Sequence, residues 1–175
     1  RMHRKESDSD EALVLSTAHF VCEENSSLKV LETAQPSKCS RFGSYRALLK
    51  SGAFLKHQQL QTQNNFNRSD YHVLLSQKEA SCDLSSLWYT SQKEQSHSHV
   101  LVEHIAPDTK SSQLFKGILS QESLSSFEGK IYVHSEAQKT DAYQLNQNCL
   151  LSESSKAHSR PNLEIFADDV KASHG

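Results

Sequence analysis

Ser98-His99-Val100-Leu101-Val102-Glu103-His104-Ile105 alternates so regularly that it fixes the local structure. Written as an extended strand, His99, Leu101, Glu103 and Ile105 fall on one side and Val100, Val102 and His104 on the other. Leu163-Glu164-Ile165-Phe166-Ala167 reads the same way, with Leu163, Ile165 and Ala167 as the inward set. Between and before these two segments the chain repeats an architecture without repeating a sequence. Short alternating or apolar runs occupy residues 18–23, 28–33, 53–62, 71–76, 84–90, 99–105, 113–120, 130–134, 142–151 and 162–167. Their starts fall roughly every 10 to 18 residues, a spacing that points to an all-β chain built by stacking. The best helical signal lies at residues 40–50 around Tyr45, Leu48 and Leu49, but Gly43 and Gly52 crowd it and a strand fits as well.

Turn chemistry narrows the all-β choices. Sandwiches and barrels usually mark their hairpins with Asn-Gly or Asp-Gly. Neither dipeptide occurs here, and the chain has only 5 glycines. Connections rich in Ser, Asn, Gln and Asp fit a solenoid whose strands are joined by wide polar corners. A parallel β-helix is the expected fold.

Length and composition set the outer limits. The 175 residues suit one domain, residues 1–175, with enough chain to bury a core. Charged residues make up 23% and the net charge is −2, so no broad basic face for nucleic acid is expected. No apolar run approaches membrane-spanning length, and residues 1–10 are charged and lack a signal-peptide hydrophobic region. The first residue is Arg and the last is Gly within a strand-like stretch, so the chain reads as a fragment of a longer protein. Cys22, Cys39, Cys82 and Cys149 form no C-x-x-C pair and are too irregularly spaced for a disulfide framework. Each lies in or beside an apolar stretch, as buried free thiols do.

Chemistry-bearing residues are sparse. Of the 10 histidines the densest group is His97, His99 and His104. On one strand the first two share a face and the third lies opposite, so the three do not converge into a metal site. The chain lacks a G-x-S-x-G elbow, a phosphate-binding G-x-x-x-x-G-K-[ST] loop and an H-E-x-x-H helix. Adjacent Asp168 and Asp169 would face opposite ways on a strand, and a turn-forming pair is the expected role. Residue chemistry alone leads to a β-solenoid with a histidine near its C-terminal end.

Three blocks carry the reading further. They are Ser125-Ser126-Phe127-Glu128-Gly129-Lys130-Ile131-Tyr132-Val133, then Ala137-Gln138-Lys139-Thr140-Asp141-Ala142-Tyr143-Gln144-Leu145-Asn146-Gln147-Asn148-Cys149-Leu150-Leu151-Ser152, then residues 161–175, which close on Ala167-Asp168-Asp169-Val170-Lys171-Ala172-Ser173-His174-Gly175. In order and spacing they resemble the SufB/SufD family of iron–sulfur cluster assembly proteins. That family writes them as S-x-F-x-G-x-I-x-V, A-x-K-T-D-A-x-Q-x-N-x-N-L-L-L-S and P-x-L-E-I-x-A-D-D-V-K-C-S-H-G. The resemblance is strongest from about residue 114 onward.

The resemblance implies a right-handed parallel β-helix core, which in the family lies between an N-terminal and a C-terminal helical region absent here. It implies a cytoplasmic, non-enzymatic subunit, with no cofactor held by this region alone and an iron–sulfur cluster possible in the full complex. The implied partners are a SufB-type paralogue, joined through the β-helices as an assembly platform, and the SufC-type ABC ATPase. The ATPase docks mainly on the C-terminal segment, so this region should bind it poorly. Aligned on Pro161, the SufB cysteine falls opposite Asn146 and the SufB His-Glu pair opposite His174-Gly175, which places the chain in the SufD branch. Ala172 stands where the family motif has cysteine, so that thiol has no role here. Cys149 stands at a usual Leu position and is expected in the core. His174 is left as the candidate iron or cluster ligand at the SufB interface. With its solenoid end open and no SufB present, this region is expected to form a two-fold homodimer through its C-terminal strands. Two other readings stay open: a purely structural interaction solenoid, and a β-helix polysaccharide-active enzyme.

Overall fold

The computed structural model describes residues 12–33, 39–62 and 64–175. The expectation for residues 1–10 lies outside that range. All regular elements among the described residues are strands: β1 (Leu13–Cys22), β2 (Ser27–Thr33), β3 (Ser40–Leu49), β4 (Phe54–Thr62), β5 (Phe66–Leu75), β6 (Ser81–Thr90), β7 (Gln95–His104), β8 (Lys110–Leu119), β9 (Leu124–Val133), β10 (Thr140–Leu150), β11 (Lys156–Ile165) and β12 (Val170–His174). The glycine-flanked stretch at residues 40–50 is thus strand β3. None of the described residues forms a helix long and apolar enough to cross a membrane.

Odd strands pair into one six-stranded sheet, β1-β3-β5-β7-β9-β11, and even strands into a second, β2-β4-β6-β8-β10-β12. All the pairings are parallel. Each coil therefore runs along one sheet, turns a corner, returns along the other, and stacks on the coil before it. This is the expected parallel β-solenoid.

Its corners explain how a chain with 5 glycines turns so often. At the corner leading from the odd to the even sheet, Asn25, Gly52, Glu79, Asp108 and Lys139 all adopt left-handed backbone conformations, φ 56 to 63°. Each N–H there donates to a carbonyl of the next coil: Asn25 to Ser51 at 2.8 Å, Gly52 to Lys78 at 3.0 Å, Asp108 to Gln138 at 2.9 Å, and Lys139 to Asp169. A non-glycine residue in this region costs about 1 kcal/mol, and an inter-coil hydrogen bond is of similar size. The corners are tolerable only as a stack.

The interior is half apolar and half polar. Tyr45, Tyr71, Trp88, Phe115 and Phe127 pack in one cluster, and Ile131, Val133, Ala137, Ala142 and Ala167 in a second nearer the C-terminus. On the other side, the first halves of β5, β7 and β9 turn Asn67, Ser69, Ser96, Ser98 and Ser125 inward and fully out of solvent. Several of these close a network around Gln59 and Gln61. Tyr71 donates to Gln59 Oε1 (3.1 Å), Asn67 Nδ2 and Ser96 Oγ donate to Gln61 Oε1 (2.7 and 3.0 Å), and Gln61 Nε2 donates to Ser69 Oγ (3.2 Å). Burying the bonded groups is affordable because they satisfy one another, whereas the Ser98 hydroxyl is buried without a partner.

Candidate functional site

The candidate residues lie on the C-terminal coil, around strand β12. Asp168 and Asp169 form the bend between β11 and β12, the turn role expected of them. The Asp169 N–H is held by Gln138 Oε1 at 2.9 Å. Strand β12 then pairs with β10 in the register Val170 to Thr140, Ala172 to Ala142 and His174 to Gln144. Partners across a parallel ladder project from the same face of the sheet. Thr140, Ala142 and Gln144 are all buried, so Val170, Ala172 and His174 point along the solenoid interior, and Lys171 and Ser173 point outward. Val170 and Ala172 pack against the C-terminal apolar cluster, whereas His174 is exposed. The following residue is also pinned, because Gly175 N–H donates to Gln144 O (3.0 Å) and Asn146 N–H donates to Gly175 O (2.9 Å).

The sequence motif thus becomes a face. Ala172 and His174 sit side by side on the interior line of the last coil. The methyl of Ala172 is there in place of the family's thiol, and the imidazole is the only inward β12 side chain with ligand atoms. Below them lies a buried polar column. Gln144 Nε2 donates to Gln113 Oε1 on β8 at 2.8 Å, and both glutamines are wholly buried. Asn148 Nδ2 donates to Asn146 Oδ1 (2.9 Å), and Asn146 Nδ2 donates to Phe115 O (3.1 Å). Gly129 makes room for the column, since a Cβ there would lie 2.3 Å from Gln144 Nε2. Sequence reasoning did not single out Gln113 or Gln144. The signal was alternation with Ala142, but pairing Gln144 with His174 requires the inter-coil register.

Cys149 corrects an expectation. It pairs with Ile118 on the outer face of the even sheet and is exposed, not packed in the core. The inward positions at this end of β10 are Asn146 and Asn148, and strand alternation turns Cys149 out. Cys22, Cys39 and Cys82 are buried as expected. Burial, reinforced by Asp83, pushes the Cys82 thiol well above its ordinary range.

His97, His99 and His104 do not converge. His97 lies on the outer face between Ser126 Oγ (2.7 Å) and Gln95 Oε1 (3.1 Å), and His99 lies 3.8 Å from Asp70. His104 points inward between the hydroxyls of Thr109 and Ser111, both at 2.8 Å, and burial lowers its pKa to about 4. A second buried imidazole, His57, lies between the rings of Tyr45 and Tyr71 with neither nitrogen hydrogen-bonded. Burial lowers its pKa to about 4 as well. On the outer face, Glu103 takes His72 on one oxygen (2.6 Å) and His134 on the other (3.1 Å). Partial burial works to raise its pKa, but the two imidazoles outweigh this and hold it below the usual carboxylate range. No group of three or more His, Cys, Asp or Glu among the described residues is arranged to hold a metal ion.

A parallel two-sheet solenoid defines the class: a β-helix. The chain matches the SufBD core domain of the SUF system of iron–sulfur cluster assembly over residues 2–175, and it belongs to that family. It is 31% identical over 134 residues to an iron–sulfur cluster assembly SufBD family protein of Mycobacterium leprae, covering 73% of this chain and 34% of the relative. It is 33% identical over 129 residues to the iron–sulfur cluster assembly protein SufD of Escherichia coli, covering 74% of this chain and 28% of the relative. A chloroplast protein of Arabidopsis thaliana, ABCI7, is 41% identical over 80 residues, 45% of this chain and 16% of the relative. The chain thus spans about a third or less of the length of these relatives. Its family role is iron–sulfur cluster assembly.

Proposed function

We propose that the chain is the β-helical core of a SufD-type, non-catalytic subunit in the cytoplasm, pairing with a SufB-type β-helix and working with a SufC-type ATPase. The observation that carries the reading is His174 on the inward line of β12, next to Ala172, which stands in place of the family's thiol. Imidazole is a competent iron ligand. One donor cannot retain a cluster, and no three-donor group accompanies it among the described residues. A nascent cluster, as cargo, would therefore need further donors from a partner.

In the absence of that partner, the expected state is a two-fold dimer of this chain. Co-expression of the whole protein with SufB-type and SufC-type subunits tests the reading. The expected result is one complex containing all three. Recovery of the chain alone, with both candidate partners folded and present, would overturn it.

A further inference from the structure

Gln113, Gln144 and His174 occupy one interior line on three successive strands of the even sheet. The two amides are joined in one direction only: Gln144 Nε2 donates down the stack to Gln113 Oε1 at 2.8 Å. The two arms of a carboxamide point away from each other. Nε2 is committed to the coil below, and His174 stands one ladder spacing away on the other side of Gln144, roughly 4.8 Å between backbones. Gln144 Oε1 is buried and has no hydrogen-bond partner in the structure, His174 included, and its residue is wholly out of solvent. A buried acceptor left open is unfavourable, so a donor on the neighbouring position is expected. Of the inward residues of β12, Val170 and Ala172 carry no donor and His174 carries two ring nitrogens.

We propose that Gln144 is a positioning residue for His174: rotation of the exposed imidazole, which is not bonded to Gln144 in this structure, brings one of its N–H groups onto Oε1. Resting on the reading of His174 as the cluster-facing donor, this gives the buried glutamine pair a purpose. The bonded nitrogen keeps its proton, so the other nitrogen carries the lone pair and is left for a metal at a partner interface. Histidine ligands are commonly fixed in this way by the hydrogen bond on their far nitrogen. Gly129 belongs to the same device, because a side chain there would drive into the Gln144 amide, at 2.3 Å from Nε2 and 2.7 Å from Cδ. The invariant demand is for one acceptor at one height in the stack.

The test reads the tautomer of His174 directly. The whole protein is labelled with 15N-histidine and its ring nitrogens are observed at pH 8, His174 being assigned by the signal missing from His174→Ala. In the unsubstituted protein one tautomer should dominate by about tenfold, the effect of one hydrogen bond. In Gln144→Leu the preference should fall to within about twofold. Gln144→Glu, which keeps an acceptor and can still donate to Gln113 when protonated, should restore it. Gly129→Ala displaces the amide by another route and should weaken the preference as Gln144→Leu does. An unchanged His174 spectrum in both Gln144→Leu and Gly129→Ala would overturn the proposal. This outcome is separable from failure of the functional reading, which is judged by cluster output from His174→Ala and makes no reference to the tautomer.

Discussion

Replacing His57 by Leu should make this chain more resistant to acid without weakening it at neutral pH. The imidazole is 2% exposed, set between Tyr45 (tilted, ring centroids 4.9 Å apart) and Tyr71 (edge-on, 5.3 Å), and neither nitrogen has a hydrogen-bond partner. Glu32, the nearest carboxylate, is 3.9 Å away and is engaged by the Tyr45 hydroxyl at 2.6 Å. Burial holds the folded pKa at about 4, against about 6.5 in the unfolded chain. The folded state therefore binds fewer protons between these values, so stability is fully present above pH 6.5 and is lost as pH falls towards 4. At pH 5 the loss from this one group is about 2 kcal/mol, and at pH 7 it is roughly 0.2 kcal/mol. Leu is of similar bulk and leaves no unpaired polar atom, so at pH 7 the variant should lie within about 1 kcal/mol of the original. Urea unfolding, followed by the fluorescence of the single, buried Trp88, measures both at pH 7 and pH 5. His104 remains in the variant and retains its own acid loss. Equal losses of stability in the two proteins between pH 7 and pH 5 would refute the argument.

Two further outcomes follow from the packing. A Cβ at Gly117 would lie 2.4 Å from Trp88 Nε1 and 2.5 Å from Asn148 Oδ1. Gly117→Ala should therefore destabilise the chain by about 2 kcal/mol, seen as a lowered thermal midpoint. Of the four thiols, Cys149 is exposed and Cys22, Cys39 and Cys82 are buried. A maleimide reagent on the folded chain should label one cysteine rapidly and the other three only on unfolding.

The solenoid was legible because its corners and apolar half leave marks in the sequence. The second halves of β5 and β7 put Tyr71, Val73 and Leu75, or Val100, Val102 and His104, inward, and their alternation is plain. The first halves of the same strands bury Asn67, Ser69, Ser96 and Ser98. A buried serine that hydrogen-bonds across the stack has the same sequence signature as a loop serine, so the first half of β5 falls outside the alternating runs. The same limit affected the site. His174 and its local face follow from alternation within β12, but the Gln144 beneath it depends on which coil stacks on which. The coils are not of constant length: Leu13 stacks under Ser40, but Leu124 under Lys156. With a drifting repeat, period-2 reasoning gives a residue's face and not its neighbour. Cys149 was misplaced because a motif position was taken as apolar core, whereas β10 turns that position outward.

The most direct measurement of the central claim is cluster output from His174→Ala in cells that depend on the whole protein and its SufB-type and SufC-type partners for iron–sulfur enzymes. Co-purification of the three subunits from the variant should show the complex intact. The account predicts that iron–sulfur enzyme activity then falls by at least about tenfold, as removal of a functional ligand would cause. Intact complex with normal iron–sulfur enzyme activity would contradict it.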